Sequence, residues 1–140
     1  MKLFVLDTDM LTLLEEAHPA VCKKVGAVPA DELAVTVVTV EEKLTGWYTL
    51  IRRAKKPDQF IHAYRRLAGA VNLLKPLRVL EVSQAGFDLY QNLKAQKLGV
   101  GRMDLLIAAV VLDAKATLVT RNRSDFAKVP GLVWVDWSLE

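Results

Sequence analysis

One cysteine, Cys22, and two histidines are all that 140 residues hold of these types. A lone cysteine excludes an internal disulfide and suits a reducing cytosol; nothing around Cys22 marks it as an activated nucleophile. His18 and His62 stand in helical stretches away from the acids discussed below, and His62, within FIHAYRR, reads as a surface or interface residue rather than a ligand. No apolar run is long enough to span a bilayer. MKLFVLDTD meets an acid at position 7, which is not the pattern of a secretory leader. No internal repeat, low-complexity stretch or linker divides the chain, so a single domain over residues 1–140 is expected. A chain of this length buries roughly two-thirds of its unfolded surface. What is present is a globular composition, 52% hydrophobic and 25% charged, with a net charge of +3 that permits a polyanionic partner without demanding one.

Residues 2–6 read as a short buried strand closed by Asp7. DMLTLLEEA then has helical spacing, with Leu11, Leu14 and Ala17 on one stripe. ELAVTVVTV, rich in β-branched residues, is the second strand, and Thr39 with Glu42 makes the S/T-x-x-E pattern that opens a helix. That helix is expected to run to Lys56, since Pro57 disfavours helix at its predecessor. Asp58 then caps a second long helix reaching about Leu74, with Phe60, Ala63, Tyr64, Leu67 and Val71 as its apolar face. LRVLEV is a third strand. Ser83 starts a helix that turns Phe87, Tyr90, Leu93 and Leu98 inward and stops at Gly99. Leu105 to Leu112 is unbroken by any polar side chain, hence a buried helix; Asp104 heads it, and its plainest role is an N-cap. The strand ATLVT, a polar turn RNRSDF and a last strand near LVWVD follow. Strands alternating with helices imply an α/β fold with a parallel sheet covered on both faces.

In such sheets the working groups gather at the carboxyl ends of the strands. Asp7 directly follows strand one, Glu42 lies near the start of the helix after strand two, and TRNRSDF follows strand four. Asp104, heading its helix, can join them at the same edge. Two unit charges about 4 Å apart repel by roughly 4 kcal/mol at an effective dielectric of about 20, so three carboxylates in one pocket need protons or a cation. Oxygen-only ligands suit Mg²⁺ or Mn²⁺ far better than zinc. Such a site calls for a polyanionic substrate, and the cluster Arg52, Arg53, Lys55 and Lys56 offers contacts to its backbone. Each feature has a plainer role as strand end, cap or solvated helix face. Their convergence at one sheet edge carries the argument.

VLDTDMLTLL, VTVEEKLTGW, GRMDLLIAAVVL and TLVTRNRSDF resemble, in order and spacing, the four motif blocks of PIN-domain ribonucleases, and within them the VapC toxins of bacterial toxin–antitoxin pairs. The resemblance spans Leu3 to about Trp137. It implies a PIN-like three-layer α/β/α sandwich with about five parallel strands, dependence on Mg²⁺ or Mn²⁺, cleavage of RNA, and inhibition by a cognate VapB-like antitoxin. Matched position by position, Asp7 is the acid after strand one. Glu42, rather than Glu41, is the acid preceding a short stretch that ends in glycine. Asp104 belongs to the DLLIAA block, which makes these three the catalytic acids and metal ligands. Thr120 matches the small hydroxyl after strand four; with Thr8 and the basic cluster it is a candidate for positioning substrate. Many PIN domains carry an aspartate where this chain has Asn122, and Asp125 stands three residues on, so the fourth acidic role stays open between them.

Two other readings remain. Asp7-Thr8-Asp9 superficially resembles the paired aspartates of haloacid-dehalogenase-type phosphatases, with Asp7 as nucleophile and Asp9 as general acid, although Leu11 stands where that family usually carries Thr or Val. The other is a PIN-like module that binds RNA or protein without cutting. Between Thr39 and Leu74 the helices carry more apolar surface than two exposed helices need. Tyr48, Ile51, Phe60 and Ile61 are not expected all to face inward. Aromatic residues favour interface cores, so a two-fold homodimer that also docks an antitoxin segment is expected, in agreement with the resemblance.

Overall fold

The computed structural model describes residues 2–139. Phe4–Leu6 (β1), Leu33–Thr36 (β2), Arg78–Leu80 (β3), Thr117–Val119 (β4) and Trp134–Val135 (β5) form one parallel sheet in the order β3-β2-β1-β4-β5. The helices are Thr8–Glu15 (α1), Pro19–Ala27 (α2), Val37–Arg53 (α3), Pro57–Leu74 (α4), Gln84–Ala95 (α5), Arg102–Asp113 (α6) and Arg123–Phe126 (α7). Alternate strand residues face opposite sides of the sheet. Val5, Ala34 and Leu118 pack with Tyr90 and Leu93 of α5 and with Ile107 and Val111 of α6. Leu6, Val35 and Val119 pack with Met10 and Leu11 of α1, Val21 of α2 and Trp137. The three-layer α/β/α sandwich with five parallel strands is therefore as expected. Among the described residues, no helix is long and apolar enough to cross a membrane.

The chain steps from β1 outward to β2 and β3, then returns to the other side of β1 for β4 and β5. Such a reversal leaves a crevice outside the carboxyl ends of the strands where it occurs, here β1 and β4. The Asp7 N–H donates to the Val119 carbonyl at 3.0 Å and ties these two strand ends together.

Several boundaries differ from the sequence expectation. β2 stops at Thr36, whose hydroxyl accepts the Thr39 N–H at 3.1 Å and caps α3; here a side-chain cap outweighs the β propensity of the valines that follow. Thr39 and Glu42 consequently lie inside the helix and form no capping box. α3 ends at Arg53 rather than Lys56, and Lys56, not Asp58, is the N-cap of α4. Pro57 is the first residue of α4, where a missing N–H loses no bond. α4 buries its small residues Ala63 and Ala70 while Phe60, Tyr64 and Val71 stay exposed. In α5 Tyr90 and Leu93 are buried but Phe87 is exposed; the helix ends at Ala95, short of Leu98 and Gly99. α1 buries Met10, Leu11 and Leu13, with Ala17 beyond it at φ +58. Asp104 is not an N-cap: Gly101 holds that place and Asp104 is the third helical residue. RNRSDF contains the short helix α7. α2 has no counterpart in the sequence expectation; its signal is Pro19 at the first helical position behind His18, whose Nδ1 accepts the Val21 N–H at 3.4 Å.

Candidate active site

A cleft of about 350 Å³ at the strand reversal is lined by Asp7, Thr8, Asp9, Thr12, Glu42, Asp104 and Asn122. Three of the blocks thus deliver their acids to one place, and the fourth delivers Asn122. Asp7 closes β1 and caps α1, its Oδ1 accepting the Met10 N–H at 2.7 Å. It is buried, 6% exposed. Its carboxyl is raised from the ordinary 3.8 to about 6, chiefly by burial; the Thr120 hydroxyl and the Met10 N–H work against this, and the charges of Asp9 and Asp104 add to it. Glu42 lies in the second turn of α3, and its Oε1 accepts the Thr8 hydroxyl at 2.7 Å. That hydroxyl also lies 3.1 Å from the Thr39 hydroxyl, so α1 and α3 are pinned together at the cleft. Asp104 sits at the N-terminus of α6, where the helix dipole favours an anion. Burial and the nearby charges of Glu42 and Asp125 nevertheless raise its pKa. Carboxylates crowd one another here, and among the described residues no ion pair reaches Asp7 or Asp104.

The fourth block shares its duties. Thr120 is fully buried, its hydroxyl lowers the Asp7 pKa, and it accepts the Asn122 N–H at 3.0 Å. The Asn122 amide donates to Asp125 Oδ2 at 3.1 Å, so these two side chains form one unit rather than alternatives. Asn122 faces the cleft, and Asp125 acts on Asp104 through its charge. Asp9 is bound by Arg121, Nε to Oδ2 at 2.6 Å. Both Asp9 oxygens face that guanidinium, Oδ1 at 3.4 Å from Nη2, so the group that the phosphatase reading takes as general acid is engaged by Arg121.

The donor set fits a hard divalent cation in its chemistry: carboxylate, hydroxyl and amide oxygens, with no imidazole or thiol in the lining. As the side chains stand, no three Asp, Glu, His or Cys groups among the described residues are close enough to hold one ion. Asp7 and Glu42 are each turned to their own hydrogen-bond partner.

Arg52 and Arg53 end α3, and Lys55 and Lys56 lie in the turn to α4, all exposed and none in the cleft lining. At 1.5 Å per residue Arg52 and Arg53 are about 15 Å along the helix from Glu42. Tyr48, Phe60 and Ile61 are 45%, 47% and 51% exposed, leaving an apolar face on the α3–α4 pair. Two features have no forerunner in the sequence expectation. One is the Asp9–Arg121 pair at the cleft. The other is buried Lys43, which donates to Thr12 at 3.1 Å and lies 3.5 Å from Glu15. Glu15 also accepts from Arg66 at 2.8 Å, and Arg66 stacks over the Trp47 ring at 4.9 Å. Lys43 within VEEKLTG carries no local sign of burial.

No protein-family profile matches the chain. It is 28% identical over 138 residues to Ribonuclease VapC1 of Haemophilus influenzae (strain R2866), covering 97% of this chain and 98% of that protein. Among solved structures it is similar to VapBC2 from Rickettsia felis bound to a promoter DNA fragment, with TM-score 0.80, 22% identity, and coverage of 96% of this chain and 98% of that one. DNA-bound VapBC from Salmonella typhimurium gives TM-score 0.80 at 21% identity, covering 98% and 99%. The fold is that of these VapC proteins, and the resemblance to VapC-type PIN-domain ribonucleases is borne out across nearly the whole chain.

Proposed function

We propose that this chain is a cytoplasmic endoribonuclease, the toxin of a type II toxin–antitoxin pair, which hydrolyses RNA phosphodiester bonds with Mg²⁺ or Mn²⁺ held by Asp7, Glu42 and Asp104. The observation that carries this is the meeting of the three acids in one cleft at the strand reversal, on a chain similar end to end to a ribonuclease. The cation, when bound, supplies charge against the phosphate and makes water a nucleophile near neutral pH. Asp7, raised to about 6, is a carboxylate whose interior charge a cation would stabilise. Thr120 and the Met10 N–H orient it, and Thr8 orients Glu42. Asn122, tied to Asp125, lines the same cleft. The exposed apolar face of α3–α4 supports a two-fold homodimer and the docking of a VapB-like antitoxin segment. A basic side chain from that segment, set among the carboxylates, would compete with the cation and explain inhibition.

The test is cleavage of total RNA with mapped ends, with Mg²⁺ or Mn²⁺ and with EDTA, comparing the native chain with Asp104→Asn. Cleavage that needs the divalent ion and disappears in the folded variant supports the reading. Full activity in Asp104→Asn refutes the mechanism, and RNA bound without cleavage by the native chain makes it a binding module.

A further inference from the structure

An acidic cleft repels an RNA backbone, so the cations that touch its lining matter. Among the described residues Lys43 bonds to Thr12 and Arg121 pairs with Asp9. Lys43 is buried and already shared with Glu15. Arg121 and Asp9 are both half exposed. Arg121 is fixed in the chain between Thr120, whose buried hydroxyl accepts the Asn122 N–H, and Asn122, which lines the cleft. Its guanidinium grips Asp9 as a fork, Nε to Oδ2 at 2.6 Å and Nη2 to Oδ1 at 3.4 Å. The same fork matches two oxygens of a phosphate. An ion pair this exposed adds little to stability, so one anion can replace another on Arg121 at small cost.

We propose that Arg121 is a phosphate-binding residue for single-stranded RNA entering the cleft and that Asp9 is the anion it holds until RNA arrives. This rests on the ribonuclease reading above and names the grip on its substrate. Asp9 keeps the guanidinium at the cleft mouth, pre-positioned, and a backbone phosphate displaces it. Because the phosphate must compete with Asp9, the pair lowers the apparent affinity by the fraction of Arg121 it occupies.

The experiment is fluorescence anisotropy of a labelled single-stranded RNA, in EDTA and in the Asp104→Asn background so that cleavage does not consume the probe. Arg121→Gln should weaken binding about tenfold and flatten the slope of log K against log salt by about 0.7, the share of one phosphate on a single strand. Asp9→Asn should tighten binding about threefold while Arg121 is present, and by clearly less in the Arg121→Gln background, which is the coupling a double-mutant cycle isolates. An Arg121→Gln chain with unchanged affinity and salt slope but a lower melting temperature would make the pair a structural clip and overturn the proposal. Equal tightening by Asp9→Asn in both backgrounds would overturn the displacement. If the native chain cleaves RNA while Arg121→Gln binds it unchanged, this inference alone fails. If the native chain does not cleave and the Asp104→Asn chain does not bind, the ribonuclease reading fails with it.

Discussion

Replacing Asp7 by Asn should stabilise the metal-free protein at neutral pH. The carboxyl titrates at about 6 in the folded chain against 3.8 when free, a difference worth about 3 kcal/mol at 1.36 kcal/mol per pKa unit. Between these two values the folded state binds more protons than the unfolded one. Stability therefore falls as pH rises through that window and levels off above about 6. An asparagine at this position carries no charge to bury, still caps α1 by accepting the Met10 N–H, and offers its amide to the Thr120 hydroxyl. Allowing for imperfect replacement of those bonds, a gain of about 2 kcal/mol at pH near 7.5 is expected, or roughly 5–10 °C in melting temperature for a domain of this size. The gain should shrink toward zero near pH 4, where the native carboxyl is also neutral. Scanning calorimetry in EDTA across that pH range measures it. Adding Mg²⁺ or Mn²⁺ should raise the native melting temperature and leave Asp7→Asn nearly unchanged, because the amide is a poorer ligand. A variant less stable than the native chain at neutral pH in EDTA, or a difference constant from pH 4 to 7.5, would refute the argument that Asp7 is held ionised at a cost.

Removing Glu15 should do the reverse. Glu15→Ala leaves Lys43 buried with Thr12 as its remaining partner and should cost about 3 kcal/mol in urea unfolding, whereas Arg66→Ala, at a more exposed partner, should cost well under half of that. Charge removal at Arg52, Arg53, Lys55 and Lys56 together should weaken RNA binding and flatten its salt slope by about 0.7 for every phosphate no longer neutralised; an unchanged slope would mark them as a solvated helix end. Light scattering at micromolar concentration should give about twice the 15.6 kDa chain mass, and Ile61→Glu should return it to the monomer. A native chain that is only monomeric would exclude the dimer. Asn122→Asp should retain cleavage with altered metal affinity, read by titrating Mn²⁺ against rate; loss of cleavage would show that the amide itself is required.

Local pattern in the sequence determined the parallel sheet covered on both faces and the position of Asp7 at the end of its first strand. An apolar run of strand length that meets a polar residue fixes where a buried strand must end, and this is a property of neighbouring residues alone. The resemblance of the motif blocks, not local pattern, selected Glu42, Asp104 and Thr120, without showing how each would be held. Tertiary structure decided the rest. Thr8 reaches Glu42 across 34 positions and Arg121 reaches Asp9 across 112. The burial of Lys43 beside Glu15 and Arg66 depends on how α1, α3 and α4 pack. The same holds for the capping choices: Thr36 rather than Thr39, and Gly101 rather than Asp104, were settled by where the sheet ended and the helices docked. A polar side chain advertises its chemistry in the sequence, but its partner is set by packing between distant segments, and with it the charge balance of the cleft.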